Sequence, residues 1–167
     1  MNRTLTVLSF AALLILEGVA SAAPPNAPGN LVVTTVAGQC KMLRLTWNDN
    51  STNESDFHIE RAADASGSPN VFVEIATRTG GSGTTKSFTD TSVVDGTRHW
   101  YRVRAHRHDT DEFSAYSNSA SNFAPPCAPT GLTVMDGGCG TLNLTWIDND
   151  LRLRDGHDSS GYRLSLR

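Results

Sequence analysis

Two parts of the chain repeat each other at a distance as long as a whole domain. Residues 27–33 (APGNLVV) recur at 128–134 (APTGLTV), and residues 43–50 (LRLTWNDN) recur at 142–149 (LNLTWIDN). The copies are about 100 residues apart, which is the length of a small domain and far longer than a solenoid repeat. The chain is therefore predicted to be a tandem array of small domains, with the second copy cut short at Arg167.

Short stretches of alternating apolar and polar residues fill the first copy. Residues 43–47 (LRLTW), for example, place three large apolar side chains at alternate positions. An alternation of period two predicts a strand with one buried face, and the intervals rich in Gly, Ser, Asn and Asp predict turns. Further stretches of this kind lie around residues 31–33, 57–61, 73–75, 88, 101–105 and 116. Seven short strands predict an all-β fold, an antiparallel sandwich of two sheets.

The first residues have the composition of a secretory leader. Arg3 supplies a short basic start, residues 5–16 (LTVLSFAALLIL) are apolar, and Ala20-Ser21-Ala22 provides the small residues that precede a cleavage site. The apolar run is shorter than the roughly 20 residues that a membrane-spanning helix needs. We therefore expect residues 1–22 to be removed as a signal peptide. The mature protein is then secreted or held at the cell surface, with no membrane segment after cleavage.

The charge balance narrows the class of partner. The formal net charge is −3, with 38% hydrophobic and 19% charged residues. This composition is that of a folded globular chain. A slightly acidic protein is a poor ligand for nucleic acid or for an anionic membrane surface. The partner we expect for such a chain is an extracellular protein or a polysaccharide, and not a nucleic acid.

The order of these motifs resembles that of a fibronectin type III domain, of the kind found in secreted bacterial proteins. The residues that carry the resemblance are Pro28, Leu31, Leu43-x-Leu45-x-Trp47, Asn53-Glu54, Phe57-x-Ile59-x-Arg61, Phe88-Thr89-Asp90-Thr91, Gly96-Thr97, Tyr101-Arg102-Val103 and Ser114-x-Tyr116-Ser117-Asn118. The resemblance implies a seven-stranded antiparallel sandwich over residues 23–123 and a Pro-rich linker over 124–128. A truncated second sandwich, with strands A to C only, would follow over 129–167.

One position departs from the family pattern. Members of the family carry a tyrosine two residues after the Gly96-Thr97 pair, where its hydroxyl bonds back to the backbone. This chain has His99 there. We expect the imidazole to replace the tyrosine hydrogen bond in part.

Three cysteines lie in a chain that is expected to be exported, into a compartment where disulfides persist. In the sandwich that the resemblance implies, the turn after strand A and the end of strand G lie at the same pole. This favours a disulfide between Cys40 and Cys127. Cys139, which is the counterpart of Cys40, would then pair within a complete second repeat. The competing pair is Cys127 with Cys139, which would join opposite ends of a hairpin.

No recognised catalytic motif occurs in the sequence. A nucleophile elbow, H-E-x-x-H, a phosphate loop and C-x-x-C are all missing. We therefore predict that the chain is not an enzyme, with no catalytic residues, no cofactor and no bound metal ion.

The best candidate for a binding site is the end of the sandwich at which two loops meet, the one between strands B and C and the one between strands F and G. The candidate residues are Asp49, Asn53, Glu54, His106, His108 and Asp109. His106 and His108 can point two imidazoles in one direction on an extended chain, and nearby carboxylates could complete a metal site. The alternative, which we favour at this point, is a solvated acidic loop pair with merely polar histidines.

A second cluster of charge lies on strand F. Arg102, Arg104 and Arg107 could form a basic patch. Arg102 and Arg104 are outward residues, and Glu60 is predicted to face outward on neighbouring strand C. We therefore expect cross-strand charge pairing and not an open basic surface.

These observations predict a non-catalytic, exported β-sandwich module. It would act as a spacer or as a protein- or glycan-binding unit in a tandem array. One alternative is an accessory region of a secreted hydrolase whose catalytic domain lies beyond residue 167, and another is a surface adhesin.

Overall fold

The computed structural model describes residues 23–81 and 84–149 and the backbone of residues 162–165. The predicted signal peptide lies outside the described residues. Every regular element within the described ranges is a strand. The strands are β1 Gly29–Thr35, β2 Leu43–Asn48, β3 Asp56–Ala65, β4 Ser68–Pro69, β5 Val73–Thr79, β6 Thr85–Asp90, β7 Arg98–Arg107, β8 Glu112–Phe113, β9 Ala120–Phe123, β10 Thr130–Gly138, β11 Thr141–Ile147 and β12 Tyr162–Ser165. Across the ranges searched, no helix has the length and apolar character to cross a membrane.

The strand order is that of a fibronectin type III-like sandwich, which confirms the predicted fold class. One sheet has the order β1-β2-β6, which corresponds to strands A, B and E. The facing sheet has the order β5-β3-β7-β9, which corresponds to C′, C, F and G. All these pairs are antiparallel. The two-residue strands β4 and β8, which we did not predict, extend the second sheet along β3 and β7.

The predicted alternation fills the space between the sheets. Trp47 from β2 packs edge-on against Phe57 from β3, with ring centroids 5.6 Å apart. The fully buried large side chains are Trp47, Tyr101, Phe57, Leu43, Leu45, Ile59 and Val103. Burying apolar surface of this kind is the main favourable contribution to folding. Val73, in contrast, is exposed, so that only part of the alternation in β5 reaches the core.

A buried carboxylate joins the two sheets through hydrogen bonds. Asp90, at the end of β6, accepts a hydrogen bond from Tyr101 Oη at 3.0 Å and one from Arg61 Nη1 at 2.8 Å, both in the facing sheet. The backbone N–H and the hydroxyl of Ser92 donate to the same carboxylate. Burial by itself would raise the pKa of Asp90, but the hydrogen bonds from Ser92 and Arg61 outweigh it and lower that pKa. Asp90 is therefore held as a charged, fully bonded group.

His99 takes the place of the corner tyrosine, as expected. The Val94 N–H donates to His99 Nε2 at 3.2 Å, and Thr97 Oγ1 lies 2.8 Å from the same nitrogen. A ring nitrogen that accepts an N–H carries no proton, so the bond requires a neutral imidazole. Burial lowers the pKa of His99 and favours that form.

The linker is attached to the first sandwich. Cys40 and Cys127 form the predicted disulfide, with Cα atoms 4.8 Å apart. Cys139 is a free, exposed thiol, so the competing pairing is wrong. The Lys41 N–H donates to Pro125 O at 3.0 Å, and Ala124 exchanges backbone hydrogen bonds with the turn at Gly96 and Thr97. Residues 124–127 thus belong physically to the first sandwich.

The second copy forms an antiparallel sheet of its own, in the order β10-β11-β12. Leu132 is 64% exposed, whereas its counterpart Leu31 in the first copy is 3% exposed. Within the described part of the chain, no second sheet covers this face. The predicted domain boundaries at 23–123, 124–128 and 129–167 remain predictions.

We expect the disulfide to contribute strongly to stability because it closes a loop of 87 residues. Replacing Cys40 and Cys127 by Ser should lower the free energy of unfolding by about 2–5 kcal/mol. Denaturant unfolding followed by tryptophan fluorescence measures this, since Trp47 is buried. Cys139→Ser is the matched control and should leave the midpoint unchanged. Equal midpoints for the double variant and the parent would contradict the expectation.

The lowered pKa of His99 predicts a pH-dependent loss of stability. Unfolded histidine titrates near pH ~6.5. The stabilising contribution of neutral His99 is complete above that pH and is lost as the pH falls through the lower pKa of the folded state. His99→Tyr should therefore melt with less pH dependence than the parent between pH ~7.5 and ~5, because the ordinary pKa of tyrosine, about 10, lies outside this range. Parallel melting curves for the two proteins would refute this.

Candidate functional site

The register of β3 and β7 places four polar side chains together on the outer face of the sheet. Asp56 pairs with His106 across the two strands, and His58 pairs with Arg104. Phe57 and every second residue after it in β3 point inward. Asp56, His58, His106 and His108 are therefore the side chains that point outward. We call Asp56, His58, His106 and His108 the histidine cluster.

Three nitrogens of the histidine cluster surround one carboxylate. Asp56 Oδ1 lies 3.3 Å from His58 Nε2 and 3.3 Å from His106 Nδ1. His108 Nε2 lies 2.9 Å from the other oxygen, Asp56 Oδ2. The side chains of Asp56, His58 and His106 are 15%, 14% and 11% exposed, and that of His108 is 64% exposed. The cluster therefore has a buried floor and one solvent-facing histidine above it.

Two outer carboxylates orient the buried imidazoles. Glu74 Oε2 lies 2.7 Å from His58 Nδ1, and Asp111 Oδ1 lies 3.0 Å from His106 Nε2. A carboxylate accepts hydrogen bonds only, so each of these ring nitrogens carries the proton. In a neutral imidazole, the other nitrogen, which is the one near Asp56 Oδ1, then carries the lone pair.

Aromatic packing holds the rings in place. Phe113 stacks on His106 with centroids 4.2 Å apart, and it meets His58 edge-on at 5.0 Å. The guanidinium of Arg104 covers Phe113 at 4.0 Å from the ring centroid. Rings fixed in this way lose little conformational freedom when a ligand binds.

The two loops converge at this end of the sandwich. The Ser55 N–H donates to the carbonyl of His106 at 2.8 Å, and the His108 N–H donates to Ser55 Oγ at 3.0 Å. The B–C and F–G loops are thus in direct contact, as the sandwich topology required.

Only two of the six predicted site residues enter the histidine cluster, namely His106 and His108. Asp49 lies instead 3.4 Å from Lys86 Nζ, and the side chains of both are buried. Asp109 Oδ1 accepts from Arg107 Nε at 2.5 Å, and this hydrogen bond lowers the pKa of Asp109.

The two remaining candidates also serve the local structure. The side-chain amide of Asn53 donates to the carbonyl of Ala23 at 3.0 Å. Glu54 Oε1 lies against the backbone of Gly80, so close that a Cβ built on Gly80 would be 3.0 Å from it.

Sequence reasoning did not assign His58 and Glu74 to the candidate site. A signal for His58 was present, because Asp56-x-His58 on strand C has the same spacing as His106-x-His108 on strand F. Residues with this spacing on neighbouring antiparallel strands share one face. No signal in the chain identifies Glu74, whose place depends on the register of β5 against β3.

The predicted pairing of the arginines is confirmed next to the cluster. Arg102 Nη2 lies 2.7 Å from Glu60 Oε2, and Arg104 Nη2 lies 3.8 Å from Glu60 Oε1. Tyr116 Oη donates to Glu60 at 2.6 Å. Burial by itself would raise the pKa of Glu60, but the hydrogen bonds from Tyr116 and Arg102 lower it. These arginines therefore form an internal network and not an open basic surface.

No family model and no curated protein matches the chain. Among solved structures, it is similar to the FN1-FN3 domains of chicken CNTN1, with 16% identity over 75% of this chain and 42% of that chain and a TM-score of 0.49. It is also similar to the FN5 domain of Drosophila Lar, with 16% identity, 62% and 99% coverage and a TM-score of 0.45. Pectate lyase Pel3 from Pectobacterium carotovorum has 19% identity, 70% and 32% coverage and a TM-score of 0.44.

The chain thus spans less than half the length of the CNTN1 structure it matches. The strand order itself defines the class of protein, which is a fibronectin type III-like β-sandwich module.

Loss of the Glu60 carboxylate should destabilise the sandwich. Glu60→Ala leaves Arg102 and the Tyr116 hydroxyl without their shared acceptor, which should cost about 1–3 kcal/mol in the free energy of unfolding. Urea unfolding measures this change. Asp109→Ala, which removes an exposed pair with Arg107, is the matched control and should not move the midpoint. Equal effects of the two substitutions would show that the Glu60 network is not structural.

Proposed function

We propose that the chain is an exported, non-catalytic β-sandwich module that acts as a spacer or as a protein- or glycan-binding unit of a tandem array. Of these two roles, the spacer role has the stronger support. The observation that supports it is the attachment of the linker to the first sandwich, which we call the clamp. A disulfide and backbone hydrogen bonds attach residues 124–127 to the first sandwich, so that a following domain would leave it from a fixed point.

The chemistry of the polar groups supports a structural role. Asp90, Glu60 and His99 are each engaged in hydrogen bonds that join strands or turns. The Cys40–Cys127 disulfide supports export, because such bonds persist in oxidising compartments. The partner we propose for any binding role is an extracellular protein or a polysaccharide, bound through loops or exposed strand faces.

Export is tested by expressing the whole chain in a bacterial host with an oxidising periplasm. Mass spectrometry of the periplasmic protein should give a mature N-terminus at Ala23 and a peptide that links Cys40 to Cys127. A protein that stays in the cytoplasm with residues 1–22 attached and both thiols reduced would contradict the proposal.

The clamp itself is tested by amide hydrogen exchange. The amides of Lys41, Gly96 and Ala124 should exchange slowly in the oxidised protein, because each donates to a carbonyl across the clamp. In the Cys40→Ser/Cys127→Ser variant these amides should exchange at least ~10-fold faster, as local opening becomes less costly. The amide of Val103 in β7 is the internal control and should change less. Fast exchange in the oxidised parent would contradict a rigid linker.

Binding is tested separately with insoluble polysaccharides and with whole cells. A spacer should remain in the supernatant in both assays. Retention on a polysaccharide would favour the glycan-binding role, and retention on cells alone would favour an adhesin.

A further inference from the structure

We propose that the histidine cluster is a binding site for a divalent transition-metal ion, with a donor set that suits Zn²⁺. Asp56, His58 and His106 would form the buried part of the site, and His108 would supply the ligand on the solvent side. This proposal rests on the geometry of the cluster and is independent of the proposed spacer role. It replaces the solvated loop pair that we expected from the sequence.

Three buried atoms in the cluster have no hydrogen-bond partner. They are Asp56 Oδ1, His58 Nε2 and His106 Nδ1. Buried polar atoms are almost always satisfied, and a group of unsatisfied atoms in one place calls for an explanation such as a bound ion. Both nitrogens lie 3.3 Å from the same oxygen, Asp56 Oδ1.

The outer hydrogen bonds make these atoms lone-pair donors. Glu74 holds the proton of His58 on Nδ1, and Asp111 holds the proton of His106 on Nε2. In the neutral imidazoles, the inner nitrogens then carry lone pairs and lie 3.3 Å from a carboxylate oxygen. A positive charge close to these three atoms would relieve their mutual repulsion. Metal-bound histidines show this pattern, with the outer N–H donated to a carboxylate that fixes the ring.

Two of the donor spacings can be compared with those of tetrahedral zinc. Zn²⁺ binds imidazole nitrogen at about 2.0–2.1 Å, so two donors at the corners of a tetrahedron lie about 3.3 Å apart. The two contacts to Asp56 Oδ1 have this length. Asp56, His106 and His108 each offer a ligand atom, and these atoms lie within 4.8 Å of one another. His108 Nε2, which lies 2.9 Å from Asp56 Oδ2, is the donor on the solvent side.

The donor types select the class of ion. Imidazole nitrogens with one carboxylate suit Zn²⁺ and its transition-metal neighbours, whereas Ca²⁺ and Mg²⁺ require oxygen donors. The exposure of His108 gives an ion a route from solvent to the buried donors. A bound ion would bridge the start of β3 and the end of β7, and would therefore join the B–C and F–G loops.

The first experiment is a Zn²⁺ titration of the exported, oxidised protein by calorimetry and thermal unfolding. Cys139→Ser is introduced throughout so that the free thiol cannot act as a competing ligand. We expect saturable binding of one ion per chain and a higher melting temperature, because an ion that binds the folded state stabilises it. Ca²⁺ and Mg²⁺ should produce no shift. Co²⁺ in place of Zn²⁺ should give the intense visible absorption of tetrahedral coordination.

Substitutions in the histidine cluster test which residues bind the ion. His58→Gln and His106→Gln should each weaken Zn²⁺ binding at least ~10-fold, and Glu74→Gln, which removes a positioning residue, should weaken it about 10-fold. His99→Tyr and His157→Gln are the matched controls and should bind as the parent does. His157 lies outside the described residues.

Two results would overturn the proposal. One is the lack of saturable Zn²⁺ binding in the parent protein. The other is unchanged affinity in both His58→Gln and His106→Gln, which would place any bound zinc elsewhere. Melting in a chelator shows whether each variant folds. If a ligand variant does not fold, Glu74→Gln and Asp111→Asn keep the test decisive, since each removes only an outer carboxylate.

Discussion

The burial of alternate residues in β3 and β7 is the constraint on which the rest of the structure depends. Phe57, Ile59, Tyr101 and Val103 are fully buried between the sheets. Because side chains alternate along a strand, this burial forces their neighbours to the outer face. The register of the pair then decides which outer residues meet. Both polar clusters, one around Asp56 and one around Glu60, are consequences of an apolar core.

Hydrogen bonds between polar side chains add directional contacts to the apolar core. Packing alone leaves two sheets free to slide, since apolar contacts carry little direction. Asp90 supplies direction, because it accepts hydrogen bonds from Arg61 and Tyr101 of the facing sheet at defined angles and distances. The buried charge of Asp90 is tolerated because both oxygens of its carboxylate accept hydrogen bonds. His99 has a similar role in the turn before β7, with a ring nitrogen in place of a tyrosine hydroxyl.

The sequence allowed the prediction of the features that follow from local pattern and topology. Alternation identified the core strands around Trp47, and the implied topology placed Cys40 beside Cys127. It also indicated that Glu60 would meet arginines of β7. Contacts that depend on the exact register of neighbouring strands could not be predicted from the sequence. Asp49 was assigned to a binding loop, but the register of β2 against β6 places it beside Lys86.

The histidine cluster shows why a site of this kind is hard to predict from one sequence. The cluster takes Asp56 and His58 from β3, His106 from β7 and His108 from the loop that follows β7, while the orienting carboxylate of Glu74 comes from β5. Asp56 and His106 meet through the pairing of β3 with β7, whereas Glu74 reaches His58 through the pairing of β5 with β3. A motif search reads one segment at a time and therefore finds His106-x-His108 without its partners.

The two ends of the sandwich use different side chains, and an oxidising compartment of the kind that we propose would suit both. Strand direction places the Cys40–Cys127 disulfide at one end of the sandwich and the histidine cluster at the other. Under oxidising conditions thiolates are consumed in disulfides, so a covalent clamp can form where two cysteines meet. The same conditions make thiolates unreliable as metal ligands. Imidazole and carboxylate donors do not oxidise in this way, so the zinc site that we propose at Asp56 and the histidines is compatible with the disulfide in one domain.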